Sequence, residues 1–260
     1  YFDRITRPEQ IIQSFPNAIQ TMLDPADCGP ACISLSQDIQ GQTFNYPAEF
    51  FQERVHTIRR PRPDDFQIKE AADKIKSSKN PIIISGGGVF YSDAMEELSQ
   101  FAIKHNIPVT QTVMGYSTMK RDHSHFAGQI GGLGGKNTNT LAKETDLAIA
   151  VGTKLADFTT GSWANFENEN FKLVSINVSR YDANKHLAQA VVGDAKVSLT
   201  ELSQALGNWK VGEDWNKKSQ IELKSWNEHI DKESAPTNQE VPSYVQAIGA
   251  IYRNSDPTDI

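Results

Sequence analysis

Short apolar runs alternate with amphipathic segments through the middle of the chain. Runs of strand length lie at 81–85, 107–111, 146–151 and 172–177, and segments with helical apolar spacing lie near 66–78, 92–105, 137–144 and 195–206. Such alternation predicts right-handed crossovers and a parallel sheet that helices cover on both faces. We therefore predict an α/β domain at about residues 64–206, with one six-stranded, mostly parallel sheet.

The regions on either side of this domain have different patterns. Pro8 to Met22 has helical spacing and Gly29 to Ser36 reads as extended, which is too little for a domain of its own. Prolines and charges around 59–65 predict an extended linker, assigned to residues 51–63. Residues 207–240 predict a connecting helix from near Asp214, whose tryptophans pin it to a core, and residues 242–251 begin another amphipathic helix.

The amino-acid composition argues against nucleic acid and membranes as partners. The 260 residues carry 32 acidic and 26 basic side chains, well mixed, so no broad field favours nucleic acid or an anionic membrane. No apolar stretch reaches the length of a membrane span. Cys28 and Cys32 are too few for a disulfide scaffold, which is typical of a reducing cytoplasm, and we interpret them as small buried side chains beside a strand. The N-terminus lacks an initiator Met and a signal core, so we expect a segment of a longer gene product.

Three glycine turns carry the candidate chemistry. Gly86, Gly87 and Gly88 follow the first apolar strand, a second group at 128–135 precedes a helix, and Gly152 follows the strand that ends at Val151. Glycine lets backbone approach an anion closely, but a tight strand-to-helix turn without a ligand explains the first group equally well. Because ligands of parallel sheets bind beyond the carboxyl ends of the strands, we expect the three turns to line one crevice.

Catalytic and metal-binding patterns are weak by comparison. His123 and His125 have a spacing that metal sites use, yet no third ligand beyond Asp122 is evident and the stretch reads as a surface loop. No nucleophile elbow or catalytic triad order stands out. The residues alone thus predict a nucleotide-binding-like α/β domain without an identifiable catalytic centre, and we assign no catalytic or metal residue.

The order of the pieces is more specific than any one of them. The run 79–88, then 107–115, the tract from Phe126, then 146–155, 174–178 and 192–195 together resemble the central domain of acetolactate-synthase-like, thiamine-diphosphate-dependent enzymes. The resemblance covers roughly residues 64–206. It implies a Rossmann-like fold of the DHS-like NAD/FAD-binding type.

The flanks resemble the same family. Residues 1–50 look like the end of its pyrimidine-binding domain, where a Gly-Pro turn leads a strand ending in Asp38, and residues 241–260 look like the start of its pyrophosphate-binding domain. Within the family, the opening 1–10 and the segment 37–40 look most like the hydrolases that open a cyclic diketone in myo-inositol catabolism. This implies thiamine diphosphate and Mg²⁺ in a full-length parent, at sites outside this chain, with a small-molecule diketone as substrate, the missing flanking domains as partners and a homo-oligomeric assembly.

Differences between this chain and the synthases concern the binding of flavin. Where they have an Arg that helps hold flavin, this chain has Lys154, which cannot reproduce a planar forked contact, and Gly134 and Gly135 replace a Gly-Met-His-Gly segment. We therefore predict a protein without flavin and leave an adenine-nucleotide site open. The predicted cofactor-facing positions of the crevice are Gly86, Gly87, Gly88, Thr112, Met114, Gly131, Gly132, Gly152, Lys154 and Asn177.

Other functions fit the sequence less well. An acetolactate-synthase-like carboligase shares the fold, and a self-standing flavin- or nucleotide-binding module would share the crevice. The flanks argue against the module, because they look like parts of other domains. A protein deacylase with a related sheet would need a four-cysteine zinc ribbon, and the chain has two cysteines.

Overall fold

The computed structural model describes residues 1–256, and a single parallel sheet organises most of them. The strands are β1 (Phe2–Ile5), β2 (Cys32–Leu35), β3 (Pro81–Ser85), β4 (Val109–Gln111), β5 (Phe126–Gln129), β6 (Leu147–Val151), β7 (Lys172–Asn177) and β8 (Gln189–Val192). The six strands β3 to β8 form the main sheet in the order β5-β4-β3-β6-β7-β8, and every neighbouring pair is parallel. The predicted α/β architecture is confirmed, and the sheet is parallel throughout.

The helices connect and cover these strands. They are α1 (Ile11–Leu23), α2 (Gln37–Gln40), α3 (Asp65–Lys76), α4 (Gly87–Tyr91), α5 (Met95–His105), α6 (Lys136–Glu144), α7 (Asp157–Thr160), α8 (Arg180–Ala183), α9 (Ala195–Leu206), α10 (Glu213–Glu233) and α11 (Tyr244–Asn254). Asp64 and Asp194 begin α3 and α9, because each carboxylate accepts hydrogen bonds from N–H groups of the first turn.

The prediction of a single helix at 92–105 is wrong about where the helix begins. The chain enters helix at Gly87 and breaks at Asp93, whose φ of 52° is left-handed, before α5 starts at Met95. Gly87 and Gly88 therefore lie inside a short helix and not before one. The spacing of apolar residues could not reveal a break that one backbone torsion produces.

The helices form two layers. On one side α3 and α5 each pack against α9, and α6 packs with α10. The crossover from β3 runs toward β4, whereas those from β5 and β6 run the opposite way, so right-handed connections place α5 and α6 on opposite faces. Both faces of the central strands are thereby buried, and no residue of Pro81–Ser85 or Leu147–Val151 reaches solvent.

The first 50 residues, here the N-terminal unit, contain one strand more than predicted. β1 pairs in parallel with β2, from Phe2 beside Cys32 to Ile5 beside Leu35, and α1 connects them. The strand β1 is short and half polar, so only its pairing with β2 identifies it. Asp38, expected to end a strand, lies in the helical turn α2 instead.

The connecting helix is confirmed as α10, beginning at Glu213. Trp215 is buried, and its indole N–H donates to the Pro81 carbonyl at 2.8 Å, which fixes the helix to the start of β3. The predicted last segment, 241–260, contains α11, and its final four residues lie outside the described part of the chain. Within residues 1–256, no helix has the length and apolar character that crossing a bilayer demands.

Candidate crevice at the switch point of the sheet

The order of the strands creates one place where a ligand can enter. The connection that follows β3 runs to β4 and the one that follows the neighbouring β6 runs the opposite way, to β7. In open parallel sheets, this topological switch point is where ligands bind. Gly86 and Gly152 follow these two strands directly.

A cavity of about 810 Å³ lies at this point. Its volume is in the range of cofactor and substrate pockets. Its sheet side consists of residues that follow strands, and its opposite side includes Met22 to Ala26 and Cys28 of the N-terminal unit together with Ile58. From the predicted set it contains Gly87, Gly88, Thr112, Met114, Gly152, Lys154 and Asn177.

Contacts between backbones explain the glycines at the switch point. A Cβ on Gly88 would lie 2.6 Å from the Gly152 Cα, and one on Gly86 would lie 2.4 Å from the Gly152 carbonyl oxygen. The Gly88 N–H donates to that oxygen at 2.9 Å. The sequence left two interpretations of the first glycine group, close approach to an anion and a tight strand-to-helix turn. The structure favours the tight turn, because Gly86 and Gly88 are needed to let two chain segments touch.

The segment after β4 closes the turn from the other side. A Cβ on Gly115 would lie 2.1 Å from the Ser85 carbonyl oxygen, and one on Gly87 would lie 2.9 Å from that of Met114. The Thr112 hydroxyl accepts the Gly115 N–H at 3.0 Å, which shapes this bend. Thr112 is buried, and its hydroxyl is used by this hydrogen bond within the fold. The Met114 side chain, by contrast, is largely exposed.

Two polar residues of the crevice, Asn177 and Lys154, lie at the end of β7 and just after β6. Asn177 is buried, donates to the Thr153 carbonyl at 3.2 Å and accepts the Ser179 N–H at 3.0 Å, so its amide is occupied within the fold. Lys154 is exposed at the cavity and carries a positive charge there.

Gly131 and Gly132 do not line this cavity. The Gly132 N–H donates to the Phe158 carbonyl at 2.7 Å, and a Cβ on Gly131 would lie 2.1 Å from the same oxygen. The second glycine group therefore packs on the backbone of α7. The prediction that all three turns line one crevice is correct for two of them, since only those two follow neighbouring strands at the switch point.

Several apolar residues of the cavity were not predicted. Tyr91 and Phe158 line it with about three quarters of their surface exposed, and Met22 and Ile58 contribute from outside the main domain. Periodicity cannot separate such side chains from core residues, because it reports a helix face and not what that face meets. Exposed apolar walls are typical of binding clefts.

Two earlier interpretations need correction. Cys28 and Cys32 are free and exposed, not buried beside a strand, because β2 lies in a two-stranded sheet with little to cover it. His125 is buried and not in a surface loop, with Nε2 3.0 Å from Asn106 Oδ1, and burial lowers its pKa. In residues 1–256, no three His, Cys, Asp or Glu side chains gather as a metal site would require. The described residues therefore do not fit the Mg²⁺ of a thiamine-diphosphate site.

Known proteins match this chain over the main sheet and beyond it. Residues 68–202 match the family described as "Thiamine pyrophosphate enzyme, central domain". A 3D-(3,5/4)-trihydroxycyclohexane-1,2-dione hydrolase of Clostridium perfringens is 45% identical over 206 residues, which are 79% of this chain and 32% of that protein. Proteins of the same name from Clostridium botulinum and, as hydrolase 1, from Bacillus cereus are 45% and 44% identical over the same shares.

The chain spans about a third of the length of these relatives. The match to the family covers the strands and helices that surround the switch point, from α3 to α9. The chain therefore belongs to the thiamine pyrophosphate enzyme family, and residues 68–202 are its central domain.

Proposed function

We propose that this chain is the central part of a thiamine-diphosphate-dependent hydrolase that opens trihydroxycyclohexane-1,2-dione, a cyclic 1,2-diketone of inositol catabolism. The observation that carries the proposal is the identity of 45% over 206 residues with a hydrolase of that name. The similarity to this hydrolase covers 206 residues and so extends past the family match of residues 68–202 into the flanks. An acetolactate-synthase-like carboligase is the alternative.

The proposed division of labour follows the domain layout. Residues 1–50 are the end of a pyrimidine-binding domain, 51–63 the linker, 64–206 the central domain, 207–240 the connection and 241–260 the start of a pyrophosphate-binding domain. Thiamine diphosphate supplies an electron sink for breaking a carbon–carbon bond beside a carbonyl, and Mg²⁺ would hold its diphosphate. Both would bind to parts of the parent outside this chain, and the central domain positions those parts.

The test uses the full-length parent with thiamine diphosphate and Mg²⁺. Loss of the cyclic diketone, with one ring-opened acid formed per diketone and no acetolactate from pyruvate, is the expected result. Omission of the coenzyme is the control and should abolish turnover. Acetolactate formation without diketone hydrolysis would replace this proposal with the carboligase. We also propose that the parent is cytoplasmic and forms a homo-oligomer. Light scattering of the parent would test the oligomeric state.

We infer a second role for the crevice, as an adenine-nucleotide site without flavin. Its volume of about 810 Å³, its apolar side chains and the exposed cation of Lys154 favour a nucleotide whose phosphates face the lysine. ADP should bind in equilibrium dialysis, and Lys154→Ala should weaken it about tenfold through loss of a charge-assisted contact. The purified protein should be colourless. A stoichiometric flavin absorption, or ADP binding unchanged in Lys154→Ala, would refute this role.

A further inference from the structure

The sequence pattern predicts an extended linker up to residue 63, but the linker is already attached to the central domain before that residue. Residues 51–59 are exposed, but Arg60 contacts the central domain at two places. One guanidinium nitrogen donates to the Ser92 carbonyl oxygen and to Asp194 Oδ2, the latter at 3.1 Å. The linker is therefore attached at Arg60, immediately before the prolines.

Asp194 holds the linker with its backbone as well as its side chain. Its N–H donates to the Pro61 carbonyl oxygen at 2.8 Å, while its Oδ1 accepts the Lys196 N–H at 3.0 Å and begins α9. The side chain is only 6% exposed. A carboxylate buried to this degree requires charged or hydrogen-bonded partners, and Arg60 is the cation that reaches it.

Close packing completes the attachment. Pro63 is buried, and a Cβ on Gly193 would lie 2.9 Å from its ring nitrogen, so a side chain at 193 would push the linker away. Gly193 also lines the crevice. The attachment thus forms one edge of the cavity at the switch point.

The segment before the attachment supplies another part of the same cavity. Ile58, two residues before Arg60, lines it, and so do Met22 and Leu23 at the end of α1. The N-terminal unit and the linker therefore close the crevice from outside the sheet, and Arg60 is the residue nearest to Ile58 that is fixed to the central domain.

We propose that Arg60 and Asp194 form a clamp that fixes the end of the linker, so that residues 52–59 act as the hinge of the N-terminal unit and the clamp positions Ile58 over the crevice. The clamp makes Arg60 a positioning residue and not a catalytic one. Release of the clamp moves the hinge to the beginning of α3, and the cavity loses its outer wall.

Limited proteolysis with trypsin on the full chain tests the clamp. Trypsin does not cut before proline, so its sites in the linker are the bonds after Arg54 and Arg59. The bond after Arg54 lies wholly in the hinge and serves as an internal reference. The bond after Arg59 adjoins the clamp, and a protease needs several free residues on both sides of a bond.

Asp194→Asn is the principal variant because it leaves the linker sequence unchanged. Asn is a good residue for beginning a helix, but its amide would direct a second donor at the guanidinium of Arg60 or at the N–H of Lys196. We expect cleavage after Arg59 to rise by about tenfold relative to cleavage after Arg54, as for loss of a hydrogen bond to a charged group. Arg60→Gln, which removes both contacts, should do the same.

Glu201→Gln is the matched control. It breaks the ion pair of Glu201 with the largely exposed Arg62, 2.6 Å long and one residue beyond Pro61, without touching the clamp. Its cleavage ratio should equal that of the unchanged protein. Urea midpoints of all variants, followed by tryptophan fluorescence, separate release of the linker from unfolding of the domain. Equal cleavage after Arg54 and Arg59 in the unchanged protein, or an unchanged ratio in both clamp variants, would overturn the proposal.

Discussion

Gly152 is required both by its torsion angle and by the space around it. Its φ of +59° is left-handed, and a Cβ there would lie 2.6 Å from the Gly88 Cα. Gly207 has a φ of +63° with nothing within 4 Å of a Cβ, and at Gly212 such a Cβ also meets nothing, with a φ of −58°. Gly152, Gly207 and Gly212 therefore separate the effect of the torsion angle from the effect of the space around a glycine.

Substitution by Ala should therefore have graded effects on the free energy of unfolding. Gly212→Ala should be neutral or slightly stabilising. Gly207→Ala should cost about 1–3 kcal/mol, because φ of 63° with ψ of −121° strains a residue that has a Cβ. Gly152→Ala should cost clearly more, because backbone must move. Urea denaturation of the three variants measures this, and equal losses for Gly207→Ala and Gly152→Ala would show that the contact with Gly88 relaxes freely.

His105 should make stability depend on pH. It is fully buried, its Nδ1 donates to the Trp209 carbonyl at 2.7 Å, and its Nε2 lies 3.0 Å from Ser203 Oγ. Burial lowers its pKa below the ordinary 6.5, the hydrogen bond that it donates to the Trp209 carbonyl raises the pKa, and the charge of Lys104 lowers it further. The folded state thus holds the proton less tightly than the unfolded state.

The sign follows from this difference. Above the ordinary pKa of 6.5 the ring is neutral in both states and the stability is full, and as the pH falls below 6.5 the unfolded state gains protons first, so stability is lost. In His105→Asn, which keeps a donor for Trp209, the urea midpoint should fall less between pH 7.5 and 5 than in the unchanged protein. His56→Gln, in the exposed hinge, is the control. Parallel pH profiles for His105→Asn and the unchanged protein would contradict the assignment.

At the scale of elements, a hydrogen bond links the connecting helix to β3 of the sheet. Trp215 on α10 donates to the Pro81 carbonyl at the start of β3. Trp215→Phe keeps most of the aromatic packing but leaves that carbonyl without its donor, which should cost about 1–3 kcal/mol. Trp226→Phe, at a half-buried indole later on the same helix, should cost less. Hydrogen exchange of β3 amides tests whether loss of stability begins at this strand, and equal costs for both variants would contradict the role of the bond.

At the scale of the whole molecule, the chain should not bind thiamine diphosphate tightly. In its family the coenzyme is expected between a pyrimidine-binding and a pyrophosphate-binding domain, and residues 1–256 gather no acidic group that could hold Mg²⁺. A Mg²⁺ ion without carboxylate ligands keeps its water and binds weakly. Calorimetric titration with coenzyme and Mg²⁺ should show no saturable heat in the micromolar range for this chain, and clear saturation for the full-length parent. Tight, metal-dependent binding by the chain alone would mean that the coenzyme site has been misplaced.

The sequence by itself determined the class of fold and most of its elements. Apolar runs such as Pro81–Ser85 and Leu147–Val151 indicate buried strands, because each is short for a helix and is flanked by turn residues. The order of those runs and their glycine turns also identified the family. Local pattern suffices for these features, since each depends on neighbours in the chain.

Only the tertiary structure decided what the glycines and the linker do. Gly86 and Gly88 meet Gly152, more than sixty residues away, and Gly131 meets the backbone of Phe158 and not the crevice. Arg60 finds its carboxylate at Asp194 across the sheet. Such contacts join segments that are distant in sequence, and their geometry follows from the order of the strands, which the pattern of apolar and polar positions along one chain does not contain.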